Sequence, residues 1–373
     1  MAIPHLKPFA GSLPRKAFDE QDPRALDLFQ TWGEAKPPQF ALVGVPFDGG
    51  VLGRKGAAGG PASIREALRY SSSYSFEEDV DLWGMQTGDV GDITVPNDNL
   101  ERAHLQVTET VAALWNEGAH PLIMGGDNSI TYAAVRALSQ SVTGKVGILD
   151  FDAHLDVREG TASSGTPYRQ ILENLGGKVE ARNVAQVGLR RFANAKVYRD
   201  YAVKKGVRIF SMKEIRRSGF SGALDSALQA ATDGVDALYV SLDMDVVDQA
   251  WAPGVSSPSP DGLTPREVFD GVMAAGNRSV AKGFEVVETA PNLDPTGNTS
   301  RVAALSILHY LIGRKKPAWA ASAKPPERSG EAPRTRMPPS GPIGYGRGPP
   351  RGGPPGRGGP GGPGGYRPPP RRW

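Results

Sequence analysis

The chain has 373 residues, 39% of them hydrophobic, which allows one large α/β domain or two ordinary ones; it has no cysteine, which excludes disulfides and thiolate metal sites. Of its 43 Lys/Arg and 40 Asp/Glu, 13 basic and two acidic residues lie from Arg314 onward, leaving 30 basic against 38 acidic before it. The basic pI therefore belongs to the tail and points to no nucleic-acid groove in the folded part, while MAIPHLKPFAGSLPRK has no apolar leader and no stretch is long and apolar enough to span a bilayer, so a cytoplasmic location is expected.

Residues 1–37 are polar and Pro-containing and read as an arm that wraps the domain. The first apolar run, FALVGV (40–45), predicts a strand, and a helical pattern starts near Pro61. Leu100, His104, Val107, Val111, Leu114 and Trp115 fall at helical spacing. The strand PLIMG (121–125), a helix from Ser129, the strands KVGILDF (145–151) and VAQVGL (184–189), and a helix from near Asn194 follow. ALYVSL (237–242), a helix from Thr264, AKGFEVV (281–287) and a helix from near Ser300 complete a domain placed at 38–313. Nearly continuous apolar strands alternating with helices argue for a parallel sheet covered on both faces, with ligands bound beyond the carboxyl ends of its strands. Residues 314–373 are dominated by Pro, Gly and Arg, and lack the apolar content to offset the entropy of ordering. They read as a disordered, solvated extension, although Arg-Gly repeats with tyrosine resemble segments that bind RNA through charge and stacking.

The chemistry gathers at strand ends. DAHLD (152–156) follows KVGILDF, and in an extended segment Asp152, His154 and Asp156 face one way. SLDMDVVD (241–248) follows ALYV and again sets carboxylates two apart, Asp243 and Asp245, with Asp248 beyond. A lone D-x-D reads as a solvated loop or a helix cap. Two such motifs after two buried strands bring together four aspartates and a histidine, whose mutual repulsion divalent cations would remove. An oxygen-rich set with one imidazole and no sulfur favours Mn²⁺, then Mg²⁺, Ni²⁺ or Fe²⁺, and suits a pair of metals about 3.5–4 Å apart. MGGDNS (124–129) opens a helix and offers Asn128 as a carbonyl ligand or a donor, with Asp127 and Ser129 as caps on the plainer reading. EVVETAP (285–291) ends a strand with Glu288, either an exposed carboxylate or an acceptor for a planar amidinium.

GGDNS, FDAHLDVR, SLDMDVVD and EVVETAP, in this order over roughly 38–313, resemble the signatures of the ureohydrolase superfamily of arginases, agmatinases and formimidoylglutamases. The resemblance implies a three-layer α/β/α fold with a mostly parallel eight-stranded sheet and two Mn²⁺ per chain, whose bridging hydroxide attacks a C=N carbon. It implies that Asp152, Asp156 and Asp243 serve one metal, beside which Asn128 is the candidate carbonyl ligand read above, that Asp152, His154, Asp243 and Asp245 serve the other, and that Glu288 holds the amidine or guanidine. A small-molecule substrate and a homo-oligomer come with it, and no membrane partner.

Two departures narrow the resemblance. Asn128 stands where the superfamily usually has a ligand histidine, and Ser164, in SSGTPYR, where arginases and agmatinases usually carry a proton-shuttle histidine; serine cannot fill that role near neutral pH. With DVR after the ligands, LRRFANAKVY (189–198), DMDVVDQAWAPG (243–254) and TSR (299–301), they look most like formimidoylglutamases, which cleave N-formimidoyl-L-glutamate to glutamate and formamide. That substrate carries two carboxylates, for which a guanidinium is the natural clamp. Arg158 is the first choice, with Arg190, Arg191 and Arg301 behind it and Ser164 as a further contact. The competing expectations are a guanidino-compound hydrolase releasing urea and a non-catalytic protein of the same superfamily. His104 reads as a core or interface residue, and His5, His120 and His309 have no ligand spacing.

Overall fold

The computed structural model describes residues 3–9, 22–33 and 36–315, all within the unit Met1–Ser322. The expectations of disorder and RNA binding for the tail fall, beyond Lys315, outside the described residues. The strands are β1 (Leu6–Lys7), β2 (Phe40–Gly44), β3 (Tyr74–Ser75), β4 (Val80–Asp81), β5 (Thr87–Ile93), β6 (His120–Met124), β7 (Val146–Phe151), β8 (Val184–Leu189), β9 (Arg208–Ser211), β10 (Ala237–Asp243) and β11 (Ala281–Val287). The helices are α1 (Ala25–Leu28), α2 (Gly60–Leu68), α3 (Leu100–Asn116), α4 (Ile130–Ser141), α5 (Pro167–Asn174), α6 (Lys196–Lys205), α7 (Met212–Ser218), α8 (Phe220–Thr232), α9 (Pro265–Gly276) and α10 (Asn298–Lys315).

The central sheet runs β1-β5-β2-β6-β11-β10-β7-β8-β9, every pair parallel except β1 with β5. It has nine strands rather than eight, because Leu6 and Lys7 of the N-terminal arm pair antiparallel with Ile93 and Asp92 and cover the β5 edge. Consecutive residues feed opposite cores. Leu42, Leu122, Leu149 and Val240 pack on the side of α8, α9 and α10, whereas Val43, Ile123, Ile148 and Tyr239 pack on the side of α3, α4 and α5. Burial on both faces is why these strands read as unbroken apolar runs.

β5 (TGDVGDI) does not read that way, and its acids have a tertiary explanation. Arg65 of α2, fully buried, donates Nε and Nη2 to Asp89 (2.7 and 2.8 Å) and Nη1 to Asp92 (2.7 Å). A buried arginine satisfied on both sides lets a charged strand enter the core. Helix starts follow the local chemistry. Asn99 caps α3 by accepting from the Arg102 N–H at 2.9 Å, and Thr264 with Glu267 forms a capping box ahead of Pro265. His104 is buried on α3, near the Ser129 hydroxyl, and burial pushes its imidazole down to about 4.

Candidate metal centre

Register places the site. Leu242 of β10 pairs with Phe151 of β7, Asp243 with Val287 of β11, and Val286 with Met124 of β6. The next residues along these four central strands are Asp152, Asp243, Glu288 and the Gly125–Asn128 turn, so all converge at the carboxyl edge of the sheet.

The two-residue spacing of the aspartates works differently from simple strand alternation. Asp152 Oδ1 accepts from the His154 N–H at 2.6 Å, and Asp243 Oδ1 accepts from the Asp245 N–H at 2.8 Å. Each aspartate thus folds the chain back in an Asx turn that delivers the side chain two residues on. The second turn is the 3₁₀ segment Met244–Val246. Asp156 and Glu288 hold positive φ, 46° and 64°, rare for such residues and typical of functional sites. Gly126 is obligatory for closeness: a Cβ there would lie 1.7 Å from the Phe47 carbonyl oxygen, and its own carbonyl accepts from Glu288 N at 2.8 Å.

Asp152, buried, faces two groups of donors. His154 Nδ1 lies 3.5 Å from Asp152 Oδ1 and 2.9 Å from Asp245 Oδ2; the three side chains offer ligand atoms within 4.8 Å of one another. On the other side Asn128 Nδ2 donates to Asp156 Oδ2 at 2.7 Å and to Asp152 Oδ2 at 3.3 Å. Asn128 Oδ1 is turned away and takes the Thr131 hydroxyl proton at 2.6 Å. Glu288 Oε1 accepts from Asn128 N at 2.8 Å, while its other oxygen is buried without a hydrogen-bond partner. A cleft lined by His154, Asp156, Asp243, Asp245, Glu288 and Arg158 opens above them.

This much acid in so little water is costly. Burial, reinforced by neighbouring carboxylates, pushes Asp152 and Asp243 well above the usual carboxylate range. Burial lifts Asp156 to about 6, and burial with Asp127 alongside lifts Glu288 to about 8. Asp245 is held low despite its burial because His154 faces it, and Asp245 in turn raises His154 to about 12. The donor set therefore fits divalent cations, whose charge removes the repulsion without protons.

A pH consequence follows for the chain stripped of metal with a chelator. Carboxyls whose folded pKa is raised bind protons that the unfolded chain has already released. Their stabilisation is present below the unfolded value near 4 and is lost as pH rises through about 6 for Asp156 and about 8 for Glu288. His154 loses its contribution in the same direction above its unfolded value of 6.5. Thermal scans should give a melting temperature that falls from pH 5 to pH 8; a rise across that window would contradict the electrostatics described here.

Arg158 stands at the rim, its guanidinium carbon 5.3 Å from the Tyr198 ring centroid and Nη1 3.4 Å from the Tyr198 hydroxyl. Among the described residues it makes no ion pair, which leaves its fork open to the cleft. Ser164 also lines the cleft, where it braces the opposite rim. Its N–H donates to the Gly50 carbonyl at 2.7 Å and its hydroxyl accepts from Leu52 N at 3.1 Å. The expectation for Arg190 needs correction. It donates to the carbonyls of Ser259, Asp245 and Val247, so it braces the loop after β10 and presents no free fork to a substrate. Arg191 is exposed, and Arg301, also exposed, donates to the Thr296 carbonyl and the Asn298 side chain at the start of α10. Asp248 closes a turn by accepting from Ala250 and Gly262 N–H. Ser256 and Thr131 lie in no motif, and Tyr198 ends LRRFANAKVY without a role that the motif assigns; Tyr198 meets Arg158 and Thr131 meets Glu285 only through the fold.

Residues 38–313 match the arginase family, and the chain belongs to it. It is 35% identical over 312 residues to a formimidoylglutamase of Halalkalibacterium halodurans, covering 82% of this chain and 97% of that protein. The crystal structure of Bacillus subtilis formimidoylglutamase superposes with a TM-score of 0.78 at 34% identity, covering 83% of this chain and 97% of that one. A Trypanosoma cruzi formiminoglutamase with Mn2+2 gives a TM-score of 0.73 at 29% identity over 79% and 99% of the two chains.

Proposed function

We propose that this chain is a metal-dependent hydrolase that cleaves N-formimidoyl-L-glutamate to L-glutamate and formamide. The observation that carries the reading is the double-faced Asp152 between two donor groups, with Glu288 and Arg158 on the same cleft. In this reading Asn128, Asp152, Asp156 and Asp243 hold one divalent cation, and Asp152, His154, Asp243 and Asp245 hold the other. Mn²⁺ is the first choice for both, since the donors are oxygens and one imidazole. When bound, the pair offsets the clustered negative charge and acidifies water in the cleft.

The chain's own residues bind and orient. The unpartnered Glu288 oxygen accepts from the planar N–C–N head, supported at its other oxygen by Asn128 N. Arg158, stacked on Tyr198, clamps a carboxylate at the far end. Leu52, Gly53 and Ser256 line the same cleft, with Gly53 packed closely against the Ser256 backbone. In the net reaction the bond from the formimino carbon to the glutamate nitrogen breaks: water supplies its oxygen to that carbon, one proton to the departing glutamate nitrogen and the other to the nitrogen retained in formamide, and nothing is oxidised or reduced.

The relatives named formimidoylglutamase and the open guanidinium of Arg158 favour this substrate over a guanidino compound. A product assay of the Mn²⁺-loaded full chain on formimidoylglutamate, agmatine and guanidinobutyrate tests it. Formamide from the first and little urea from the others is expected. Better turnover of agmatine would replace the assignment with the guanidino reading, and no turnover of any would favour a non-catalytic role. A homo-oligomer belongs to the same reading, and sedimentation of the full chain checks it. Among the described residues no helix is long and apolar enough to cross a membrane.

A further inference from the structure

Under the carboxylate cluster lies a buried polar chain that the chemistry above does not use. Glu285 on β11, Ser241 on β10 and Thr131 in the first turn of α4 are all fully buried. The Ser241 hydroxyl donates to Glu285 Oε1 at 2.8 Å. The Thr131 hydroxyl lies 2.7 Å from that same oxygen and 2.6 Å from Asn128 Oδ1. Glu285 forms no ion pair among the described residues, and a buried acid placed on hydroxyls alone calls for a reason.

Thr131 has one hydroxyl proton and two acceptors within reach, so it can satisfy only one of them at a time. If the proton goes to Asn128 Oδ1, the amide nitrogen faces Asp152 and Asp156, as observed. If it goes to Glu285, the Thr131 oxygen becomes an acceptor, and the Asn128 amide is best satisfied turned by half a rotation. Its nitrogen then donates to Thr131 and its oxygen replaces it beside the two carboxylates. The ends of an amide are nearly equal in size, so the turn requires no repacking. An amide oxygen at those distances from two carboxylate oxygens repels them, unless a cation lies between.

We infer that Glu285, acting through Thr131, is a positioning residue that turns the Asn128 carbonyl toward the first metal position. Glu285 competes for the Thr131 proton, and by taking it frees Asn128 to serve as an oxygen ligand. The inference rests on the metal reading above.

The test is Mn²⁺ titration calorimetry with counting of retained ions, on the full chain and its variants. Glu285→Leu leaves Thr131 only Asn128 to donate to, and should weaken one of the two ions by about tenfold or more while sparing the other. Glu285→Gln, which keeps a weaker acceptor, should fall between. In an Asn128→Asp background the two oxygens are equivalent and there is no end to choose, so Glu285→Leu should then change affinity less than about threefold. An equal loss in both backgrounds would assign the effect to the charge of Glu285 and overturn the inference. So would unaltered affinity in Glu285→Leu. Should Glu285→Leu fail to fold, Thr131→Val, close in shape, decides: it should weaken the same ion, and parent-like binding would overturn the proposal. A parent chain that takes up no metal would instead bring down the metal reading itself.

Discussion

Replacing Asp152 or Asp243 with alanine is expected to abolish turnover and to cost the chain about two bound ions. Each faces both halves of the cluster in the proposed arrangement, so neither ion keeps its place without it. The loss should lie well beyond the ~10–100-fold that follows removal of an outer supporting partner. Alanine also deletes the Asx turns that carry His154 and Asp245, so the asparagine variants are the cleaner comparison. Asp152→Asn and Asp243→Asn keep the carbonyl that accepts the N–H two residues on and remove only the charge. They too should be inactive and metal-poor. Since burial holds both carboxyls far above their ordinary range, the same variants should melt higher than the parent when both are stripped of metal. Metal analysis, product assay and thermal scans together check it. Full activity in either alanine variant would sink the metal reading.

Arg158→Ala should raise KM for formimidoylglutamate by at least about tenfold, roughly 1.4 kcal/mol, with metal content unchanged. The substrates to be distinguished share a planar head that Glu288 can hold and differ at the far end, where one presents carboxylates and agmatine an ammonium. An open guanidinium favours the first and repels the second. Arg158→Lys should recover only part of the loss, because an ammonium cannot reproduce a bidentate fork or its stacking on Tyr198. Agmatine turnover, if measurable, should not suffer from Arg158→Ala. An unaltered KM would remove Arg158 from the site, and Arg190 could not replace it, since its guanidinium is engaged by three backbone carbonyls.

Strand–helix alternation, the six central strand runs and the carboxylate motifs could be read from the residues alone, because each is written in a local period or spacing. β2, β6, β7, β8, β10 and β11 are buried on both faces, and such burial forces an apolar run that is visible without the fold. β5 and β9 were not visible. β5 carries acids that only the buried Arg65 makes tolerable, and β9, at the sheet edge, is a four-residue RIFS that is only partly buried. The ninth strand depends on Leu6 and Lys7 finding Ile93 and Asp92, about ninety residues away.

The same division runs through the site. Asp152, His154, Asp156, Asp243 and Asp245 sit in two short motifs, and their types and spacing were sufficient to point to divalent metals. Which way each arginine faces was decided only in three dimensions: Arg190 is turned to carbonyls and Arg158 to the cleft, though both follow central strands in the chain. So was the end of Asn128 that meets the carboxylates, which depends on Thr131 and Glu285, the latter more than 150 residues away. A ligand set is a matter of residue type and short spacing, which the sequence states directly. The direction of a donor is set by partners brought together across the sheet, and only the tertiary structure supplies them.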